Sequence, residues 1–390
     1  TSADHDVVVV GGGQSGLGIG FALRRAGIHR FSVIDAAAPG ETGGWTTVAR
    51  MATLRTPKNW PEPEYGFPEL SFQAWYERAN GEQAYAALPR VPRLAWADYI
   101  AWFGRTVQVP VRHRTRLVDI VPQPDRLALH LLVTDDDGRT AEVVETTRQL
   151  VLANGVEGTG GPYLPPVLAG LPRDLVAHTG HRIDFRALAG RTVAVLGAGA
   201  SALDAAGTAL EAGAEQVHLF TRRPRLLIQG DQGFPPGSVG ARENYHRRSD
   251  ADRWAQKARL ARGGRSCTLE SVRRAATFPG CRVHLDAPWH SATAEDGAVR
   301  VTAADGSHAF DFVIAGTGYQ YDPATRPELT RLARHVALWR DRYRPPADLA
   351  DETLGATPYL GDGYQLLGRT PDTPPALGRI RVSNINLRPW

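Results

Sequence analysis

Short apolar runs rich in valine, leucine and isoleucine recur along the chain at 7–10, 31–34, 150–153, 192–196, 217–220 and 311–315, each closed by turn-forming residues. Without polar alternation, runs of this length predict strands buried on both faces, as in a parallel sheet. The segments 15–26 and 200–212 are rich in Gly, Ala and Leu and predict crossover helices after the first and fourth runs. The same strand–turn–helix–strand unit is thus predicted twice, beginning its turn at Gly11 and again at Gly197. Because the run at 150–153 precedes the second copy, one domain is expected to be interrupted by the other. The expected boundaries are 1–165 with 320–390 for the first domain and 166–319 for the second, with proline-rich crossings at 161–166, 323–327 and 344–346.

The turns carry the chemistry. Gly11, Gly13 and Gly16 make G-x-G-x-x-G directly after a predicted strand, with Gln14 and Ser15 opening the helix. Gly11 permits the tight turn, Gly13 lets a pyrophosphate approach backbone N–H groups, and Gly16 lets helix and strand pack closely. Asp35 closes the next strand, near the ~20-residue offset at which a carboxylate accepts hydrogen bonds from ribose hydroxyls. The second turn has Gly197 and Gly199, then Ala200, Ser201 and Ala202, with Ala202 in place of the third glycine. Its following strand ends not in an acid but in Arg222 and Arg223, which would attract the 2′-phosphate of NADPH; solvated surface arginines are the competing reading. The expected class is α/β, two nested Rossmann-like dinucleotide-binding domains in a glutathione-reductase-like arrangement.

Composition narrows the picture. The formal charge of +4 comes from 45 Lys+Arg nearly balanced by 41 Asp+Glu, with no block of like charge, so nucleic acid is not an expected partner. Lys58 and Lys257 are the two lysines; the remaining cations are arginine. Cys267 and Cys281 are too few and too far apart for a Cys-x-x-Cys redox pair or a zinc site, and are expected to be reduced thiols. No leader pattern or bilayer-length apolar run is present, so a cytoplasmic protein with a small-molecule substrate and no membrane partner is expected. The spacing of Trp96, Tyr99 and Trp102 is helical and favours core packing over a substrate wall. Within 223–300, the segment 230–240 reads as loop and 251–276 as a basic helix solvated over the second domain.

With both turns placed, the chain resembles the class B flavin-dependent monooxygenases, the superfamily of flavin-containing, N-hydroxylating and Baeyer–Villiger monooxygenases. Further motifs carry the resemblance. Gly316-Thr317-Gly318-Tyr319 is similar to the family's A-T-G-Y element, and Ala153-Asn154-Gly155 to its matching A-T-G strand end. Gly43-Gly44-Trp45 resembles the G-G-x-W flavin loop with one position missing, and the following 53–58 lies where the N-hydroxylating branch lines flavin and substrate. The resemblance implies FAD on the first domain, held also by Gly44, Trp45, Gly155, Thr317 and Gly318, NADPH on the second, and Arg50, Arg55 and Lys58 as candidate substrate contacts. It implies oxygen insertion through a flavin C4a-(hydro)peroxide. His178 lies as far before Gly197 as the Baeyer–Villiger fingerprint histidine does in that family, but Pro172, Asp174 and Arg182 replace the other fingerprint residues. A rival register on His181 breaks the spacing. The reading therefore favours an amine or sulfur acceptor over a ketone, with His178 and Tyr319 as candidate catalytic residues at the domain junction. The alternatives are an NADPH-flavin reductase or electron-transfer flavoprotein, a Baeyer–Villiger enzyme, and a flavin-binding sensor without turnover. Relatives usually continue beyond the point where this chain ends, with a segment that contacts the flavin.

Overall fold

The computed structural model describes residues 3–60, 63–229 and 244–383. The first unit opens with β1 (His5–Val10), α1 (Gln14–Arg25) and β2 (Phe31–Ile34). Three helices follow, α2 (Phe72–Asn80), α3 (Glu82–Ala87) and α4 (Arg93–Thr106), and then β3 (Val111–Arg112), β4 (Thr115–Pro122), β5 (Leu127–Thr134) and β6 (Thr140–Leu152). These strands form one sheet in the order β3-β2-β1-β6-β5-β4. β1 lies parallel to β2 and β6, while β4, β5 and β6 form an antiparallel meander. The apolar run at 150–153 is therefore the buried end of a longer strand whose alternating outer part gives no continuous apolar signal.

After β7 (Gly161–Pro162) the chain enters the second unit: β8 (Val176–His178), β9 (Thr192–Leu196), α5 (Ala200–Glu211) and β10 (Gln216–Phe220). Next come β11 (Ile228–Gln229), α6 (Asp250–Gly263), β12 (Cys267–Thr268), α7 (Leu269–Ala276) and β13 (Cys281–His284). A meander of β14 (Trp289–Glu295), β15 (Ala298–Ala303) and β16 (Gly306–Phe310) precedes β17 (Phe312–Ala315) and β18 (Tyr319–Gln320). The second sheet is parallel throughout, in the order β13-β10-β9-β17-β8. One face, with Val193, Val195, Val217 and Leu219, packs against the alanine-rich α5; the other, with Ala194, Phe220 and Val313, packs against the β14–β16 meander. β7 and β18 pair antiparallel where the chain leaves and re-enters the first unit. The returning segment carries α8 (Trp339–Arg342) and α9 (Glu352–Gly355) and ends in β19 (Ile380–Val382), parallel to β6.

The first sheet is likewise buried on both sides. Val7, Val9 and Val33 face an aromatic core in which Trp96 and Tyr99 are almost fully buried, so the aromatic stretch is packing. Val8, Ile34, Leu150 and Leu152 face Leu329, Leu332 and Leu338 of the returning segment. The basic stretch 251–276 differs from its expectation. It is broken at Gly264, whose φ of 74° suits glycine and ends α6; the second half, α7, does pack on the second unit through Ala275 and Val272, but the buried face of α6 does not lie over the second sheet. Trp254 instead packs with Trp339 and Tyr343 of the returning segment and donates from Nε1 to the Leu349 carbonyl at 2.8 Å. The segment 230–240 and the chain beyond 383 lie outside the described residues. Both cysteines are free thiols, and among the described residues no helix is long and apolar enough to cross a membrane.

Trp254→Ala should open a cavity between α6 and the returning segment and destabilise the fold by about 3–5 kcal/mol. A denaturant titration followed by tryptophan fluorescence should show the midpoint falling accordingly.

Candidate active site

The two glycine turns sit at corresponding ends of the parallel strands of the two sheets, after β1 and after β9. In the first, a Cβ on Gly11 would lie 2.3 Å from the Ala153 carbonyl oxygen, and one on Gly16 would lie 1.8 Å from that of Gly11. Strand end, turn and helix thus touch through backbone alone, which is why small residues stand there. Gly11 also has φ 107°, a conformation that side chains resist. The Asp35 carboxylate, just beyond β2, accepts from the N–H groups of Gly12 and Ala37, each at 2.7 Å. Gln14 accepts from Trp96 Nε1 at 3.2 Å, while the Ser15 side chain is exposed. Opposite the turn, both amide atoms of Asn154 are buried without a hydrogen-bond partner, and Gly155 beyond it has open space around it. The 42–44 loop, with Gly43 and Gly44 at positive φ, lies close over Gly13 and is tied down by Arg93, which donates to the Trp45 carbonyl.

The second turn repeats this geometry with one exchange. A Cβ on Gly197 would lie 2.3 Å from the Gly316 carbonyl oxygen, the counterpart of Gly11 against Ala153. A Cβ on Gly316 would lie 2.5 Å from that of Ala202. The alanine that replaces the third glycine and the glycine that replaces the alanine of the A-T-G-Y element therefore share one volume. Of the two arginines past β10, Arg223 donates to the Arg262 carbonyl at 3.2 Å and packs on Gly264, whereas Arg222 is exposed. Arg265 backs Gly199, its Cβ 3.5 Å from the position a Cβ there would take.

His178 and Tyr319 meet where the second sheet joins the β7–β18 crossing, with ring centroids 5.2 Å apart and edge to face. His178 is fully buried, and burial, with the nearby His181, holds its pKa down at about 4 against the pull of the Gly318 carbonyl. The neutral ring accepts from the Gly180 N–H at Nδ1, 2.9 Å away, so its proton sits on Nε2, which has no hydrogen-bond partner. The Tyr319 phenol is pushed up by burial, so its oxygen stays protonated near neutral pH. Thr317 donates to the Tyr163 carbonyl, and the Gly318 carbonyl accepts from the Tyr163 N–H at 2.9 Å.

A family model described as L-lysine 6-monooxygenase/L-ornithine 5-monooxygenase matches residues 80–253. The FAD-dependent urate hydroxylase of Xanthomonas campestris pv. campestris is 39% identical over 384 residues, covering 97% of this chain and 79% of that protein. The chain belongs to the class B flavin-dependent monooxygenases. The fold of this monooxygenase is similar to that of the ornithine N-hydroxylase of Kutzneria sp. 744, with a TM-score of 0.70, 19% identity, and coverage of 97% and 90% of the two chains. It is also similar to the ornithine hydroxylase of Pseudomonas aeruginosa, with a TM-score of 0.71, 19% identity, and coverage of 96% and 90%.

The basic residues of the 50–58 segment face a seam between the monooxygenase's two units. Arg50 donates to the carbonyls of Thr179 and His181, and burial lowers its pKa to about 10. Arg55 bridges to Asp204 on α5 at 2.6 Å; Asp204 is only 3% exposed and also accepts from Ser271 at 2.6 Å. Lys58 does not cross the seam; it donates to the carbonyls of Tyr85 and Ala86 and lies over the Tyr85 ring. Thr53 donates to Glu270 at 2.7 Å, and Arg274 donates to the Arg50 carbonyl at 2.6 Å. Asp204, Ser271 and Arg274 carry no sequence signal, because each stands on a helix surface whose partners appear only on folding, and Glu270 stays exposed beside Thr53.

The shared volume of Ala202 and Gly316 makes a compensation test. Gly316→Ala alone should lower NADPH affinity by about 10-fold or more through displacement of the second turn, a rough equivalent of the 1–3 kcal/mol overpacking cost. Combining it with Ala202→Gly should restore most of that affinity, measured by fluorescence titration.

Proposed function

We propose that this monooxygenase holds FAD on the unit formed by 1–165 with 320–390 and NADPH on 166–319, and uses them to insert one oxygen atom of O2 into a nitrogen-containing small molecule, the other leaving as water. The observation that carries this reading is the pair of glycine turns, each with a strand-end carbonyl behind it at a distance that admits no side chain. For FAD, the backbone N–H groups at Gly13, Gln14 and Ser15 are placed to receive the pyrophosphate, Gly11 and Gly16 keep the approach open, and Asp35 closes the ribose end. Gly44 and Trp45 cover the turn, while Gly155, Thr317 and Gly318 line the crossing; the unpartnered amide of Asn154 supplies a donor and an acceptor there. For NADPH, Gly197, Gly199, Ala200, Ser201 and Ala202 form the matching cradle. Arg222, exposed at the strand end, is the first candidate for the 2′-phosphate, and Arg223 stands behind it.

When bound, FAD supplies the oxygen chemistry and NADPH the reducing electrons. The protein's part is to orient and to exclude water. His178 offers a neutral Nε2–H donor, held in that tautomer by the Gly180 N–H, and Tyr319 packs against it as a second protonated group. The match to a urate hydroxylase over nearly the whole chain supports urate or a related nitrogen heterocycle as substrate. The lysine/ornithine monooxygenase model supports an aliphatic amine as the second reading. Arg50 and Arg55 would contact either substrate only by exchanging bonds they already make across the seam.

Purified FAD-loaded protein should oxidise NADPH faster than NADH and convert urate, or failing that ornithine, lysine or cadaverine, to a product one oxygen heavier by mass spectrometry. NADPH oxidation that yields only hydrogen peroxide with every acceptor would identify a reductase instead. Arg222→Ala should raise the KM for NADPH by about 10–100-fold with kcat little changed, the expected loss of a charge-assisted phosphate contact, while leaving the KM for NADH near its original value.

A further inference from the structure

On the second unit, on the meander side of the sheet and one strand beyond the second glycine turn, three histidines and an aspartate gather at the rim between the parallel sheet and its covering meander. His218 lies on β10, His284 ends β13, Asp305 stands in the turn between β15 and β16, and His308 lies on β16. One carboxylate oxygen of Asp305 bonds His284 Nδ1, and the other lies 3.2 Å from His308 Nε2. The three ligand atoms all lie within 4.8 Å of one another. Donors about 2.0–2.1 Å from a zinc-sized ion stand ~3.3 Å apart at tetrahedral angles, so the cluster needs little movement to enclose one. The rings are held in place: Phe220 stacks flat on His284 with centroids 4.2 Å apart, and Phe310 stacks beside His308.

The proton inventory leads to the same position. Arg282 can only donate, and its Nε lies 3.5 Å from Gln216 Oε1, which identifies that atom as the amide oxygen. The same oxygen lies 3.1 Å from His218 Nε2, so that nitrogen carries a hydrogen. A neutral His218 ring with its hydrogen on Nε2 presents Nδ1 as an acceptor. Its partner at 2.9 Å, His284 Nε2, must then be the donor. His284 Nδ1, the atom facing Asp305, is left either to bind a second proton or to direct a lone pair at a cation. An ordered chain from Gln216 through His218 that fixes the tautomer of a ligating histidine is the supporting arrangement a metal site requires.

We propose that His284 Nδ1, Asp305 and His308 Nε2 bind a divalent transition-metal ion of the zinc class, with His218 and Gln216 orienting His284, and that the ion pins the meander to the edge of the second sheet. Two imidazoles and one carboxylate suit such an ion and leave its remaining positions to water. None of these side chains is among those assigned above to FAD or NADPH.

The test is zinc itself. The FAD-loaded enzyme, equilibrated with zinc chloride and passed into metal-free buffer, should retain about one zinc per chain by mass spectrometry of the metal. An Asp305→Asn/His308→Gln double variant should retain little, and His218→Gln, a positioning change, should weaken zinc by about 10–100-fold while retaining the stoichiometry at saturation. Flavin content and NADPH oxidation should be unchanged in the variants. The wild-type enzyme alone also decides the matter, whether or not the variants fold. In ¹⁵N-histidine spectra, zinc should shift His284 Nδ1 and His308 Nε2 to the range of metal-bound nitrogens. Zinc that leaves those nitrogens unmoved, or equal retention in wild type and a folded double variant, would overturn the proposal and leave His284 and Asp305 as a hydrogen-bonded pair without a metal.

Discussion

In each unit, a strand-end carbonyl packs against a glycine of the neighbouring turn with no space for a side chain, Ala153 against Gly11 and Gly316 against Gly197. The contact fixes the spacing between adjacent parallel strands at the end where the turn's N–H groups must point away from the sheet toward a ligand. The helix then follows at one angle, because Gly16 or Ala202 rests on the same backbone. Everything assigned to the two nucleotides depends on these approaches, and neither tolerates an added methyl group, because the atom in the way is backbone oxygen. At the adjoining Ala202–Gly316 contact, where the neighbour is a side-chain methyl, one methyl group has instead been exchanged for another.

The second constraint is the polar seam. A buried carboxylate such as Asp204 is costly unless its oxygens are satisfied, and here an arginine from one unit and a serine from the other do so. Arg50 adds bonds to two carbonyls, and its own carbonyl is held by Arg274. The contacts made by Arg50, Arg55 and Arg274 are directional and need a partner from across the seam, so they specify the relative placement of the units more sharply than apolar packing would.

Much of the architecture was legible in the sequence because the buried parallel strands are short and uninterrupted, and because the glycine turns follow them directly. The six apolar runs became β1, β2, the end of β6, β9, β10 and β17, and the two small-residue segments became α1 and α5. The meanders were not legible. β15 alternates buried and exposed positions, β14 and β16 are mostly exposed, β4 mixes the two, and the apolar residues of β5 are interrupted by His130, so none gives an unbroken apolar run of the kind that marks the parallel strands. Nor could the sequence show that Trp254 on a basic helix has its partners some 85 residues later, in Trp339. The same holds at the site. Asp35 and the glycines could be found from spacing, whereas Asp204, Ser271 and the unpartnered amide of Asn154 depend on which surfaces meet. The histidine cluster is assembled from three strands and a turn, with nothing in any one segment to signal it.

The antiparallel pairing of β7 with β18 has a mechanical consequence. The two chain crossings between the units are not independent tethers but a two-stranded ribbon, further joined where Thr317 and Gly318 bond Tyr163. Any displacement of one unit against the other must therefore carry both crossings together, and with them Tyr319 beside the buried imidazole of His178.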